Sequence, residues 1–513
     1  MKNPYFNKIK CAAVCAVLTS SVVSLSAQSA VSVDTSSLRT AVTVEGVRAH
    51  QAAFQAAADA NGGTREASSA GYLASRDYVV KKMETAGYQV TVQPFDYPFF
   101  EELTPAILDQ ISPVPTVYPY FDGTGFATMS YSGSGDVTAI AEGVDLLLPP
   151  ATSANTSTSG CEASDFASFT PGNIAVIQRG SCSFALKAIN AEAAGARGVI
   201  IFNEGQPGRT AAFLGTLGGP VSSVPVVGAA FDVGVELAAG SVLVHMFVSA
   251  TSEIRTSYNV IADSPEGRDD RVVVVGAHLD SVSEGPGIQD NGSGSAANLE
   301  VAIQMAELGI TPRNKVRFAW WGAEEAGLLG SEHYVAQLSR RDIKNIALNL
   351  NFDMIGSPNF VRFVYDGDGS HTPLAGPNGS KVIERVFLDY FEDEAGALPV
   401  EPTAFSGRSD YGPFIAVGIP AGGLFTGAEG IKTDDQVGIY GGTAGDQYDP
   451  CYHLACDTFD NISLEALDQM SDAVAHSVLS FAMTTSSVNG TDKGKGLGKF
   501  KDGMEYRGSK LVK

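Results

Sequence analysis

Apolar positions along the chain follow two rhythms, one helical and one extended. VRAHQAAFQAAADA and SAGYLASRDYVVKKMETAGY place apolar residues at helical spacing on either side of the breaker NGGTRE, and predict two helices, the second ending near Gly87. YQVTVQPFDY then alternates as a strand, and a helix pair leading into an edge strand suits the start of an α/β domain. From about Thr128 to Val248 small residues dominate, ATSANTSTSG forms a Ser/Thr-rich patch, and NIAVIQ, GVIIFN and SVPVVGAA predict strands. That change of character reads as an inserted domain. Within it, GNIAVIQRGSCSFALKAINAEAAGARGVIIFNE predicts a strand, a turn at Gly180, a helix of about four turns and a second strand, with no catalytic group.

After Thr256 the alternation of strands and helices resumes and runs to about Ser480. Val272 to Gly276 is apolar or small without polar alternation, the signature of a strand covered on both faces of a parallel sheet. KVRFAWWGAEEAGLLGSEHYV predicts a strand from Val316 to Trp321, a turn at Gly322 carrying Glu324 and Glu325, and a helix. NIALNLNFDMIG and IPAGGLFTG read as further strands, ERVFLDYFEDE as a helix, and ISLEALDQMSDAVAHSVLSFAMT as a long amphipathic helix. The expected fold class is α/β, a mostly parallel mixed sheet sandwiched by helices, with an inserted β-rich α/β domain. The segments are 1–30, a leader; 31–127, the N-terminal part of the main domain; 128–250, the insertion; 251–484, the larger part of the main domain; and 485–513, a Lys/Gly-rich tail unable to bury enough apolar surface to fold alone.

Length and charge narrow the classes. A chain of 513 residues exceeds one domain of roughly 150 residues, and a net charge of -23 excludes nucleic acid or an anionic membrane as partner. Lys2, Lys8 and Lys10 precede an apolar run from Cys11 to Leu25, which reads as a secretory signal too short to span a bilayer. Ala27 and Ala30 both qualify as its last residue. The mature protein is therefore expected outside the cell or in a periplasm, as a monomer with no integral membrane segment. Cys161, Cys182, Cys451 and Cys456 then face an oxidising compartment, and pairing neighbours in sequence closes two local loops. Cysteine-bound zinc is the rival reading, but none of the four forms a CxxC pair.

Candidate chemistry collects where strands should end: His278 and Asp280, Asp290, Glu324 and Glu325, Asp353, and His453 between two cysteines. Taken singly these are unremarkable, Asp290 as a helix N-cap and the paired glutamates as complements to a helix dipole. Together, several carboxylates delivered to one sheet rim demand cations. Imidazole with carboxylate suits zinc, and two ions about 3.5–4 Å apart form a recurrent hydrolytic centre. Asp280, two residues after His278, is placed to accept the other imidazole N–H. His333, Asp410 and His371 are read as structural or surface.

Two resemblances sharpen this reading. Arg179, Gly180, Cys182, Phe184 and Lys187 form the R-G-x-C-x-F-x-x-K arrangement of protease-associated domains, which the insertion resembles. AHLDS, GIQDNGSG, WGAEEAGLLGS, NFDMIG and CYHLACDT, in that order, resemble the secreted zinc aminopeptidases of the co-catalytic exopeptidase clan, which also holds glutamate carboxypeptidase and the transferrin receptor. The resemblance implies two Zn2+ per chain bridged by Asp290, one also held by His278 and Asp353, the other by Glu325 and His453. It implies Glu324 as general base and acid and Tyr452 as the oxyanion's partner. It further implies a pocket for the substrate's N-terminal residue lined by Met354, Gly407, Arg408 and Phe425, with Glu401 near the position of the acid that holds the α-amino group. The function expected is removal of N-terminal, large apolar residues from peptides or proteins. A carboxypeptidase or dipeptidase of the same clan, or a receptor-like binding protein on the same scaffold, are the alternatives.

Overall fold

The computed structural model describes residues 33–489, so the expected leader and nearly all of the expected tail lie outside the described residues. The two predicted helices form at Val44–Asp59 and Ala70–Thr85, each opened by a hydroxyl cap, Thr43 accepting from the Gly46 N–H and Ser69 from that of Tyr72. They lead into a strand that runs from Gln89 to Ser112, well past the predicted YQVTVQPFDY. It pairs antiparallel along its length with the equally long strand Val242–Asp263, with register shifts at Glu102/Thr104 and Thr104/Ile107.

This two-stranded ribbon links the two halves of one continuous sheet. At its Gln89/Asp263 end, the strand Val242–Asp263 pairs antiparallel with Asn314–Trp321, and the order continues through Arg268–His278, Ile346–Phe352 and Ala421–Phe425 to the short strands Phe363–Tyr365 and Glu401–Thr403. The four neighbouring strands from Asn314–Trp321 to Ala421–Phe425 are mutually parallel. At its other end Val242–Val248 pairs with Gly135–Val144, which begins the sheet of the inserted segment. There Ile174–Gln178, Gly198–Phe202 and Val226–Ala229 follow in parallel register. The βαβ unit read from GNIAVIQ to GVIIFN is present, with a helix at Phe184–Ala193 three turns long rather than four because Gly195, at φ +88°, ends it.

The main sheet is sandwiched, as its sequence predicts. Along Arg268–His278, Val273 and Val275 enter the core beneath the helices Val44–Asp59, Gly292–Glu307 and Leu464–Met483. Val272 and Val274 enter the core on the opposite face, against Tyr334 and Phe414. Trp320 and Trp321 likewise point to opposite cores, as the two-residue period of a strand requires. The cysteines pair as proximity suggested, Cys161 with Cys182 and Cys451 with Cys456. No helix among the described residues is long and apolar enough to cross a membrane.

Candidate active site

Three adjacent parallel strands deliver their chemistry at one carboxyl edge, where ligands of open α/β sheets bind. His278 closes its strand and pairs in register with Trp321; Glu324 and Glu325 follow Trp321, and Asp353 follows Phe352. Asp290 enters from the loop before Gly292–Glu307. It is not that helix's cap: Asn291 fills the role, its side chain accepting from the Gly294 N–H. Asn291 also accepts from the Met354 N–H at 3.2 Å and donates to the Phe352 carbonyl at 3.0 Å, so it ties Asp290 to the turn bearing Asp353. Gly294 is required there, since a Cβ would sit 2.1 Å from the Phe352 oxygen. Nor do the paired glutamates open a helix, which starts four residues later at Leu329. They occupy a turn whose N–H groups, at Glu324 and Glu325, point to the Asp280 carboxylate at 3.2 and 3.3 Å.

The residues expected as ligands come together as two groups sharing one member. His278 Nε2 lies 3.2 Å from Asp290 Oδ1 and 3.4 Å from Asp353 Oδ1. His453 Nε2 lies 3.3 Å from Asp290 Oδ2 and 2.9 Å from Glu325 Oε2. Each Asp290 oxygen thus faces a different imidazole. Asp353 Oδ1 and Glu325 Oε1 are buried without hydrogen-bond partners, as metal-ligating oxygens would be. Nitrogen and carboxylate donors in this mixture fit zinc.

The electrostatics are those of a site built for cations. Burial works against charge on His278, yet Asp353 and Glu324 prevail and raise its pKa well above the ordinary imidazole range. Burial likewise opposes charge on His453, but Glu325 and Asp290 push it up to about 11. Burial drives Glu324 well above the usual carboxylate range and Glu325, aided by Asp290, up to about 7. Asp290 resists its own burial and is held far down by the two imidazoles. Asp410, read as structural, lies fully buried nearby, its carboxyl raised by burial to about 8.

Supporting contacts depart from the sequence reading. Asp280 was expected to orient His278 through its carboxylate; the Nδ1 contact at 3.1 Å is instead to the Asp280 backbone carbonyl, with the carboxylate at 3.6 Å and engaged with the glutamate turn. Asp457 accepts from the Gln289 and Asp290 N–H groups at 2.8 and 2.9 Å, and the Ser409 hydroxyl donates to Asp353 at 2.6 Å. Arg65, inside the stretch read as a mere breaker, donates to the carbonyls of Leu279, Pro286 and Gly287 and so gathers the loop between His278 and Asp290. Asp457 lies within CYHLACDT and Ser409 directly follows Arg408 of the expected pocket, whereas nothing in the local sequence marks Arg65.

A cavity of about 330 Å³ opens beside the centre, with Met354, Phe363 and Phe425 on its apolar side. Arg408 lies at its rim, donating to Glu429 at 2.5 Å and to the Tyr452 hydroxyl at 3.1 Å. Burial, then Asp290 and Glu325, push the Tyr452 phenol upward, so its proton stays in place as a donor. Gly407 adjoins the cavity through its neighbours Ser406 and Arg408, and adopts φ +82°. Glu401 does not line it. On the short edge strand, its carboxylate accepts from the side chain of Gln436, in the helix Asp434–Tyr440, at 2.7 Å, and the acid that does face the cavity beside Arg408 is Glu429.

Comparison with known proteins agrees with this geometry. Residues 259–478 match the model of peptidase family M28, and residues 145–237 match that of the PA domain. An aminopeptidase of Pseudomonas aeruginosa is 49% identical over 435 residues, spanning 84% of this chain and 80% of the relative. Leucine aminopeptidase 2 of Trichophyton equinum is 48% identical over 328 residues, 63% of this chain and 65% of its own. Among solved structures, an aminopeptidase from Aneurinibacillus sp. strain AM-1 superposes with a TM-score of 0.60 at 29% identity, over 86% of this chain and 95% of the other. A zinc aminopeptidase from Bacillus subtilis gives 0.56 at 26% identity, over 89% and 99%. The chain belongs to peptidase family M28, zinc-dependent hydrolases, and carries a PA domain within it.

Proposed function

We propose that this protein is an exported aminopeptidase that removes large apolar N-terminal residues from peptides, using two zinc ions bridged by Asp290. The observation that carries the reading is the division of Asp290, one oxygen toward His278 and Asp353, the other toward His453 and Glu325. The relatives' being an aminopeptidase and a leucine aminopeptidase supports the aminopeptidase assignment, and the apolar wall formed by Met354, Phe363 and Phe425 supports the side-chain preference. The apparent leader and the two disulfides support export.

Zinc held by these groups would polarise the scissile carbonyl and acidify water. Glu324, buried and outside both sets of closest contacts, takes the proton of the attacking water and later hands it to the leaving amine. Tyr452, its phenol kept protonated and its oxygen fixed by Arg408, donates to the oxyanion as it develops. The cavity beside Met354 and Phe425 takes the first side chain and fixes which bond lies at the centre.

A panel of aminoacyl p-nitroanilides, with chelator and with zinc restored, tests the reading. Leucyl and phenylalanyl substrates should be cleaved, the activity lost to chelator and regained with zinc. Glu324→Gln should retain two zinc ions per chain while kcat falls by about three orders of magnitude. Silence toward every free N-terminus in protein holding two zinc ions per chain would refute the aminopeptidase reading.

A further inference from the structure

A second and larger cleft, about 680 Å³, opens on another side of the same centre. Glu325 and His453 line both it and the cavity beside Met354, so the two volumes meet at the residues of the proposed second metal position. One wall is the loop Ser281–Glu284 of the peptidase sheet. The other combines Phe99 and Phe100 of the long ribbon strand with Tyr131 and Thr216 of the segment that strand leads into.

The far wall is built with care. Tyr131 holds φ +67°, an unfavourable conformation for a residue with a Cβ. Its ring meets Phe100 edge-on at 5.8 Å and its hydroxyl donates to the Pro98 carbonyl at 3.3 Å. Strain of this kind collects where geometry serves binding. The acids of the cleft are not equivalent. Glu66 is engaged by the Tyr97 hydroxyl and by Ser68, with Arg255 at 3.9 Å, while Glu284 is exposed and bonded to its neighbour Ser283.

We infer that this cleft holds the substrate residues that follow the scissile bond. The inference rests on the aminopeptidase reading above. A peptide with its first side chain against Met354 and Phe425, and its carbonyl at the Asp290 centre, must continue away from that cavity. The second cleft is the volume that begins there. Its aromatic wall suits apolar side chains and its Glu284 rim suits basic ones, so the segment carrying Tyr131 and Thr216 reads the second and third residues of the peptide and disfavours acidic ones.

The test compares kcat/KM for leucine p-nitroanilide, which has no residues beyond the cleaved bond, with that for Leu-Phe-Arg-amide and Leu-Phe-Glu-amide. In Tyr131→Ala the ratio of Leu-Phe-Arg-amide to the anilide should fall about ten-fold, through KM, with Tyr131→Phe retaining the ratio. Glu284→Lys, at an exposed position where folding is not at issue, should reverse the preference for arginine over glutamate. Ratios unmoved by Tyr131→Ala, or a preference unmoved by Glu284→Lys, overturn the inference. Failure of the unaltered enzyme on all three substrates would instead refute the aminopeptidase reading itself.

Discussion

Replacing Arg65 by Met should loosen the metal centre although Arg65 is not one of the expected ligands. The side chain is fully buried, and its guanidinium is the donor for three carbonyls, at Leu279, Pro286 and Gly287, spanning the loop from His278 toward Asp290. Burial lowers its pKa to about 10, partly offset by Asp280, Asp457 and Asp290, so it stays charged at neutral pH. Methionine fills similar space but leaves three dry acceptors, at roughly 1–3 kcal/mol each. Relief from burying the guanidinium offsets part of this, and a net loss of about 4 kcal/mol is expected. The carbonyls that space His278 from Asp290 lose their tether together, so zinc affinity should fall about ten- to a hundred-fold. Urea unfolding followed by tryptophan emission isolates the effect, because both tryptophans of the chain, Trp320 and Trp321, sit in one strand of the peptidase sheet. Competition with a graded chelator reports zinc. An unchanged urea midpoint together with a superimposable competition curve would refute the reasoning. Arg65→Lys should recover little, since one ammonium cannot span three carbonyls as a planar fork does.

Two further outcomes follow. Tyr452 and His453 lie inside the loop closed by Cys451–Cys456, so Cys451→Ser with Cys456→Ser should cost about 2 kcal/mol of stability yet lower zinc content toward one ion per chain; full zinc retention by metal analysis would contradict it. His476, buried against Thr35 at 2.9 Å and beside the Tyr390 ring, has its pKa lowered to about 4, by burial first and then by Arg39. The unfolded chain protonates first, near 6.5, so this contribution is intact above that pH, is lost as pH falls toward 4, and is flat below. The loss is at most about 3 kcal/mol. The melting temperature of His476→Gln should therefore depend less steeply on pH between 6.5 and 4 than that of the unaltered protein, and parallel profiles would count against the assignment.

What the sequence made legible was what short-range pattern encodes. Val272–Gly276 lacks polar alternation because both its faces are covered, and that same burial places His278 at a strand end. The long ribbon strand extends past YQVTVQPFDY through Glu101, Glu102 and Pro105, which break the alternation. The structure absorbs the break as register shifts rather than a chain reversal. The turn carrying Glu324 and Glu325 and the helix after it are both present, the helix beginning at Leu329 once Leu328, at φ +63°, has turned the chain. Residues acting across the fold were beyond reach. Arg65 finds its carbonyls more than two hundred positions away, and Glu429, which reaches the cavity where Glu401 does not, sits in the loop after Ala421–Phe425.

The same contrast explains how the centre stays assembled. Four carboxylates, Asp290, Glu324, Glu325 and Asp353, repel one another when brought to one rim, and nothing intrinsic to those side chains holds them there. Their positions are imposed from the backbone: Ala323 precedes Glu324 at φ +55°, Met354 follows Asp353 at +52°, and His453 itself sits at +58°. None of these residues is glycine, so each conformation is disfavoured by roughly 1–2 kcal/mol and persists only under external constraint. The constraints are the Asn291 bonds around Asp353, the Asp457 carboxylate on the Asp290 N–H, and the disulfide flanking His453. Asp290 is held on both sides by them. Loosening one supporter should therefore disturb metal binding more than it disturbs the sheet, whose two hydrophobic cores lie below the rim and are independent of the charges above.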